Sequence, residues 1–301
     1  ELQRMEAESI GHGVIQGGLF PGQKVMSGRG LQPCTQLYNR IIPRHMKLVA
    51  LHAFADNYIW MLHDGARAFV VDPGDEAPVL AALDELRLEL TAILVTHHHP
   101  DHVGGVDALR PRLRGPVYGP ARERIPRPFE ALSGGDVIEV LGLSFAVIDV
   151  PGHTAGHIAY QQQGVDGQAL LFCGDTLFSA GCGRLFEGTA AQMLSSLTRL
   201  SDAPADTRVC CTHEYTLSNL RFAAAVEPDN AAITEYTALC QRLRASGQPT
   251  LPSSLLTEGR INPFLRCTEP AVVEAALAHG AASRSPVDVL AALREWKNHY
   301  R

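Results

Sequence analysis

The sequence predicts an α/β protein followed by a smaller region that contains only helices. Up to residue 213, short apolar segments rich in β-branched residues alternate with amphipathic segments, a pattern typical of strands and helices in one fold. Beyond Tyr215 only helical periodicity remains. Several apolar segments end directly in His or Asp, at the position where α/β folds place their chemistry. We therefore expect one domain at residues 46–213 and a helical domain at residues 214–301.

The hydrophobic pattern sets the expected elements in chain order. The first half should contain strands at residues 47–51, 58–63, 68–72, 91–95, 116–119, 137–141, 145–150, 159–162, 169–173 and 208–212. Its helices should lie at residues 77–88, after Gly105, and at residues 189–200. The second half should contain helices at residues 230–245, 271–279 and 286–300, and no strand.

Residues 1–45 differ from everything that follows. They are rich in Gly, Pro, Gln and Arg and show neither a helical nor a strand period. We interpret them as a disordered leader or a non-native extension, with Met46 as the start of the folded chain. A transit peptide is the alternative, although the acidic residues Glu1, Glu6 and Glu8 are unusual in such peptides.

Composition limits the partners of this chain. A formal net charge of -6 at pH 7 disfavours nucleic acid as a partner. No apolar segment approaches the ~20 residues needed to span a bilayer, so no membrane partner is expected either. The 7 cysteines have no repeated spacing and no C-x-x-C pair, which predicts free thiols, with Cys173, Cys210 and Cys211 in the core. This use of cysteine predicts a reducing, cytoplasmic location, and we expect a monomer.

The strongest chemical signal is residues 96–102, Thr-His-His-His-Pro-Asp-His, directly after the predicted strand at 91–95. Imidazole nitrogen and carboxylate oxygen suit zinc, iron and manganese, whereas calcium and magnesium prefer oxygen alone. A purification tag is the simplest alternative explanation of a His-rich run. A tag would lie at a terminus and would lack Asp101, whereas this run lies within the chain. One ion could hardly use all these donors, so the spacing indicates two ions.

Three later segments also place a candidate ligand after a predicted strand. They carry His153 and His157 in Pro-Gly-His-Thr-Ala-Gly-His, Asp175 in Gly-Asp-Thr, and His213 in Thr-His-Glu-Tyr. Each signal is weak alone, because Asp or His after a strand is often only a turn residue. Together with residues 96–102 they form a set. A thiolate ligand at Cys182 is possible, but the supply of histidines makes it unnecessary.

The order Thr-His-x-His-x-Asp-His, Pro-Gly-His, Gly-Asp and a final His resembles the metallo-β-lactamase superfamily over residues 47–215. The resemblance implies an αββα sandwich and two divalent metal ions, zinc in the first place, with iron and manganese as alternatives. It assigns the first ion to His97, His99 and His153. It assigns the second ion to Asp101, His102 and His213, and it makes Asp175 the bridge. By the same pattern His98 and His157 are not ligands.

Further segments resemble the glyoxalase II (hydroxyacylglutathione hydrolase) family over nearly all of residues 46–301. They are Gly-Cys-Gly-Arg-Leu-Phe-Glu-Gly-Thr at 181–189, His-Glu-Tyr-Thr at 213–216, Asn-Pro-Phe-Leu-Arg at 262–266 and Leu-Arg-Glu-Trp-Lys at 293–297. This resemblance implies a catalytic domain at 46–213 and a substrate-binding domain at 214–301. The implied glutathione contacts are Arg184, Phe186, Tyr215, Arg294 and Lys297. The family often has Tyr where Phe186 stands, so this chain lacks that hydroxyl.

The implied reaction is hydrolysis of S-(2-hydroxyacyl)glutathione by a hydroxide that bridges two metals, with Asp101 and Asp175 as the catalytic carboxylates. The family's usual substrate is S-lactoylglutathione, which gives D-lactate and glutathione in the second step of methylglyoxal detoxification. Another dinuclear hydrolase, such as a lactonase or phosphodiesterase, is the alternative enzyme. A non-catalytic metal-binding or redox protein is the alternative from a different class.

Overall fold

The structure is a computed structural model that describes residues 46–165 and 168–300. The leader predicted at residues 1–45 lies outside the described residues. In the described part of the chain, no helix is both long and apolar enough to cross a membrane.

Six strands form the first sheet. They are β1 (Lys47–Ala53), β2 (Asn57–His63), β3 (Arg67–Val71), β4 (Glu89–Leu94), β5 (Val117–Pro120) and β6 (Glu130–Leu132). They lie side by side in chain order. β1, β2 and β3 pair antiparallel, whereas β3 to β6 pair in parallel. Parallel pairing requires crossover connections, and the connection from β4 to β5 carries the His-rich residues 96–102.

The remaining strands belong to the second sheet and to a small hairpin. They are β7 (Val137–Val140), β8 (Leu143–Asp149), β9 (Ile158–Val165), β10 (Gln168–Gly174), β11 (Leu177–Phe178), β12 (Gly181–Cys182), β13 (Arg208–Cys211) and β14 (Ser253–Ser254). The second sheet has the order β14-β13-β10-β9-β8-β7, and β11 pairs with β12 in a separate two-stranded sheet. β10 and β13 run parallel, so the residues that follow them emerge at the same edge.

Helices flank the sheets and form the end of the chain. They are α1 (Glu76–Leu86), α2 (Pro100–Val103), α3 (Val106–Leu109), α4 (Ala190–Ser201), α5 (Thr216–Val226), α6 (Ala231–Ala245), α7 (Leu255–Ile261), α8 (Pro270–Ala278) and α9 (Pro286–His299). α4 begins with a capping box, in which Thr189 accepts from the backbone N–H of Gln192 and the Gln192 side chain bonds back to Thr189.

The alternation of side chains along β2 shows how the layers pack. Trp60 and Leu62 belong to the same buried cluster as Phe145 of the second sheet, whereas Ile59 and Met61 face the cluster that includes α1. Residues of α4 and α9 pack into the cluster of the second sheet. The predicted αββα sandwich is therefore confirmed. The predicted core cysteines Cys173, Cys210 and Cys211 are all buried.

The prediction that no strand follows Tyr215 is wrong. β14 (Ser253–Ser254) pairs antiparallel with β13 and so extends the second sheet from within the helical region. Its two serines carry no hydrophobic alternation, so the sequence offers no strand signal there. The prediction also missed α5, which follows Tyr215 without a side-chain cap, and the short α7.

Candidate metal centre

The seven predicted ligands converge at one edge of the sandwich. His97 and His99 follow β4, and Asp101 and His102 lie in α2. The other three ligands follow strands of the second sheet, His153 after β8, Asp175 after β10 and His213 after β13. Their donor atoms form three groups, and within each group the atoms lie within 4.8 Å of one another. The groups are His97 with His99 and His153; Asp101 with His102 and His213; and His97 with His102 and Asp175.

The first two groups have the size of metal sites. His99 Nδ1 lies 3.0 Å from His97 Nε2 and 3.0 Å from His153 Nε2. On the other side, Asp101 Oδ2 lies 3.6 Å from His102 Nε2 and 3.4 Å from His213 Nε2. Ligand atoms around a tetrahedral zinc ion stand about 3.3 Å apart, given bonds of about 2.0 Å. Both groups can therefore surround one cation each.

Asp175 stands between the two groups with one oxygen toward each. Its Oδ2 lies 3.5 Å from His153 Nε2 in the first group. Its Oδ1 lies 3.4 Å from both His102 Nε2 and His213 Nε2 in the second group. This division of the two oxygens is what a bridging carboxylate requires.

Buried polar atoms without a hydrogen-bond partner give a second reason to expect cations at this site. His102 Nε2 and Asp175 Oδ1 are buried and have no hydrogen-bond partner. A buried polar atom without a partner costs free energy, so native proteins usually satisfy it with a hydrogen bond, water or an ion. A cation between these two atoms would satisfy both.

The protonation states also agree with cation binding. Burial and the neighbouring histidines hold the pKa of His97 well below its usual value, which leaves the imidazole neutral and able to ligate. Burial raises the pKa of Asp175, but His102 and His213 outweigh it and lower the pKa overall, so the group is a carboxylate. Burial lowers the pKa of His102, but Asp175 and Asp72 raise it to about 9. The positive charge that His102 would carry there is one that a cation can replace.

Residues outside the ligand set orient the imidazoles. His102 Nδ1 lies 3.1 Å from Asp72 Oδ2, and His213 Nδ1 lies 3.0 Å from Asp56 Oδ1. His153 Nδ1 lies 2.9 Å from the backbone oxygen of Arg184. Such contacts fix which ring nitrogen faces the metal. Sequence reasoning did not assign Asp72 or Asp56 to the site. The only signal for Asp72 was its place at the end of a strand, and Asp56 had none.

The two histidines that were predicted not to ligate have other partners. His98 Nδ1 lies 2.8 Å from Glu123 Oε2, and the His98 backbone N–H donates to the same oxygen. Glu123 also accepts from the backbone N–H of Gly156, so it joins two ligand-bearing loops. His157 Nε2 accepts the backbone N–H of Asp175, while its Nδ1 lies 3.0 Å from the oxygen of Ile158. Neither histidine belongs to a group of candidate ligands in the described chain.

Replacing His98 with glutamine should therefore leave two cations per chain. The substitution keeps the backbone N–H that bonds to Glu123 and removes no donor atom of the centre. Elemental analysis of the purified variant and of the unaltered protein is the direct comparison. Loss of one cation in His98→Gln would mean that the ligand set has been assigned to the wrong imidazoles.

The predicted substrate contacts lie beside the centre or on α9. The ring of Phe186, 62% exposed, lies 5.2 Å from the ring of His153, and Tyr215 stacks on His213 at 4.7 Å. Arg184 is exposed. Arg294 is buried and its Nη1 donates to the oxygen of Cys182 at 2.8 Å.

Two further contacts concern the same region. Lys297 Nζ donates to the oxygen of Ser218 at 3.2 Å. Cys182 is buried, and its thiol belongs to no group of candidate ligands in the described chain. The cysteine is therefore not needed as a ligand.

The fold and the centre define the class of protein. The sequence profile of the metallo-beta-lactamase superfamily matches residues 54–213, and the chain belongs to this superfamily. The crystal structure of ETHE1 from Myxococcus xanthus is similar with a TM-score of 0.58 and 24% identity, over 85% of this chain and 90% of that one. A metallo-beta-lactamase from Staphylococcus aureus is similar with a TM-score of 0.54 and 18% identity, over 84% and 72%. These two similarities concern the fold alone.

The helical region identifies the family to which the chain belongs within this superfamily. The profile of the hydroxyacylglutathione hydrolase C-terminus matches residues 214–300. A hydroxyacylglutathione hydrolase of Albidiferax ferrireducens is 61% identical over 255 residues, which are 85% of this chain and 100% of that protein. One from Cupriavidus taiwanensis is 53% identical over 265 residues, again 85% and 100%. The chain belongs to the hydroxyacylglutathione hydrolase family.

Proposed function

We propose that the chain hydrolyses S-(2-hydroxyacyl)glutathione thioesters, with S-lactoylglutathione giving D-lactate and glutathione. This proposal is supported by two groups of candidate ligands with the carboxylate of Asp175 between them, in a chain whose helical region matches this family. We also propose that residues 46–213 form the catalytic domain and residues 214–301 the substrate-binding domain.

In this function His97, His99 and His153 would hold one cation and Asp101, His102 and His213 the other, with Asp175 shared. Bound there, divalent cations would lower the pKa of water from ~15.7 to about 7 and would polarise the thioester carbonyl. Asp101 is held toward this centre by Asn57, whose Nδ2 donates to Asp101 Oδ2 at 3.0 Å. A thiol with a pKa of about 8.5 leaves as thiolate, so the chain need not supply a strong acid. We propose zinc, and the same donors suit iron and manganese.

A group of cationic side chains supports an anionic substrate. Burial first, and then Arg294, Arg221 and Arg184, lower the pKa of Lys297 to about 8. Among the described residues, none of these four cations has a carboxylate within ion-pair distance. Cations held together without a counter-ion attract an anion, and glutathione carries two carboxylates. We propose that Arg184, Phe186, Tyr215, Arg294 and Lys297 contact glutathione.

The lowered pKa of Lys297 predicts how substrate binding changes with pH. Lys297 is cationic below pH 8 and becomes neutral above it, so the KM for S-lactoylglutathione should rise between pH 7 and pH 9. Lys297→Arg keeps its charge over this range, because the guanidinium pKa exceeds 12. The KM of this variant should therefore rise less. Any rise that remains comes from titration of the substrate itself, which affects both proteins equally. Equal slopes of KM against pH would exclude Lys297 as the titrating group.

The function is tested by measuring hydrolysis of three substrate classes with the same metal-loaded protein. S-lactoylglutathione, an aliphatic lactone and bis(4-nitrophenyl) phosphate represent the thioester, lactone and phosphodiester. We expect the highest kcat/KM by far with the thioester. A higher kcat/KM with the lactone or the phosphodiester would favour the alternative hydrolase, and no turnover with any of them would favour a metal-binding protein.

We also propose that the protein acts as a monomer in the cytoplasm. All seven candidate ligands come from one chain, so the centre needs no second copy. The six described cysteines are free and buried, as is usual in reducing compartments. Mass measurement in solution tests the first point, and fractionation of cells tests the second.

A further inference from the structure

A short segment, residues 177–184, lies between the metal centre and the helical region. It consists of the β11–β12 hairpin and the two residues after it, and we call it the ribbon. Toward the centre, the oxygen of Arg184 lies 2.9 Å from His153 Nδ1. The ring of Phe178 lies 5.8 Å from the ring of His213. A methyl group on Gly183 would lie 1.9 Å from the backbone oxygen of Asp175, so the ribbon touches the centre closely.

On its other side the ribbon is held by side chains of the helical region. Asn262 Nδ2 donates to the oxygens of Phe178 and Gly181, at 3.1 and 2.9 Å. Glu258 Oε2 accepts the backbone N–H of Ala180 at 2.7 Å. Two further bonds complete the set, from Asn219 Nδ2 to the oxygen of Ser179 at 3.0 Å and from Arg294 Nη1 to the oxygen of Cys182 at 2.8 Å. Five consecutive residues, 178–182, thus each have a backbone group bonded to the helical region.

The ribbon needs this support because its turn is unfavourable by itself. Ala180 has a φ of 55°, in the left-handed region that residues other than Gly, Asn and Asp seldom adopt. Glu258 and Asn262 are both fully buried at 0% exposure. Burial of a carboxylate is costly, and it raises the pKa of Glu258. Among the described residues, Glu258 belongs to none of the groups of candidate metal ligands, so its burial is not explained by cation binding.

We propose that Asn262 and Glu258 are positioning residues, which hold the ribbon so that Arg184 and the ligand His153 keep their places. The helical region would then help to build the metal centre, in addition to binding glutathione. This inference rests on the proposed function only in its use of thioester hydrolysis as one readout. A positioning role differs from a glutathione contact in one respect. A displaced ribbon also impairs the hydrolysis of substrates that lack glutathione.

The first test compares Asn262→Ala with Asn230→Ala. Asn230 is also in the helical region, and its side chain bonds to the backbone of Arg260 and Ala232 rather than to the ribbon. Both variants are assayed with S-lactoylglutathione and with S-lactoyl-N-acetylcysteamine, a neutral thioester without the tripeptide. We expect Asn262→Ala to lower kcat at least about 10-fold with both substrates, and Asn230→Ala to leave kcat unchanged even at an equal loss of Tm. An Asn262→Ala variant with unchanged kcat, or with only KM for the glutathione substrate changed, would overturn the proposal.

The second test uses Glu258, in case Asn262→Ala does not fold. Glu258→Gln keeps an acceptor for Ala180, whereas Glu258→Met fills the same space without one. The Zn²⁺ affinity of the apoprotein, measured in competition with a chelating dye, should be near that of the unaltered protein for Glu258→Gln and about 10-fold weaker for Glu258→Met. Equal affinities in the two variants would overturn the positioning role. This readout needs no thioester, so failure of the proposed function would leave it interpretable.

Discussion

Replacement of Asp175 by alanine should lower kcat/KM for S-lactoylglutathione by at least about 10³-fold, or about 4 kcal/mol. One oxygen of Asp175 faces His153, and the other faces His102 and His213, so both ligand groups lose a donor at once. Loss of a donor from one group alone should be less damaging. The variant should also bind fewer than two cations, as measured by elemental analysis after dialysis.

Asp149→Ala is the matched control for this experiment. Asp149 also ends a strand of the second sheet, but its carboxylate accepts from the N–H of Gly134 and pairs with Arg122, outside the centre. We expect it to keep two cations and most of the activity. An Asp175→Ala protein with two cations and full activity would contradict the bridging role.

Charge reversal at Lys297 should raise the KM for S-lactoylglutathione far more than it lowers kcat. Lys297 lies with Arg294 on α9, where burial and then neighbouring cations lower its pKa. It would contact a part of the substrate remote from the scissile bond. Such a contact contributes to ground-state and transition-state binding alike, so its loss appears in KM. A lost charge-assisted contact costs about 1 to 3 kcal/mol, which corresponds to roughly 5- to 150-fold.

The specificity of that effect separates a substrate contact from a general loss of charge. Lys297→Glu should leave hydrolysis of S-lactoyl-N-acetylcysteamine nearly unchanged. Lys47→Glu makes the same charge change at an exposed position of β1 and should affect neither substrate. If Lys297→Glu impairs both thioesters equally, or impairs neither, α9 does not anchor glutathione, and the lactonase alternative gains support.

The sequence was most informative where chemistry and periodicity coincide. Residues 96–102 carry several candidate donors within seven residues, so their proximity in space follows from local geometry alone. The alternation along β2 likewise fixes which side chains face the second sheet, because the period of a strand is two. His153, Asp175 and His213 were found because each follows a recognisable strand and because their order resembles a known family.

What the sequence did not show depends on contacts between distant segments. Asp56 reaches His213 across a separation of 157 residues, and nothing near Asp56 marks it as a partner. The pairing of β14 with β13 is a tertiary contact between polar residues, without any hydrophobic pattern. Burial of Arg294 was equally hidden, since by sequence alone it resembles a residue on the solvated face of a terminal helix. The last two features appear only when the helical region is packed against the sandwich.

The most direct test of the two-cation account is a titration of the apoprotein with Zn²⁺, while hydrolysis of S-lactoylglutathione is followed. Protein freed of metal with a chelator should be inactive, because the proposed nucleophile is water that only a bound cation activates at neutral pH. Activity should rise with added Zn²⁺ and reach its maximum at two equivalents per chain, since Asp175 lies between two groups of candidate ligands. A maximum already reached at one equivalent, or full activity in the chelated protein, would contradict the account.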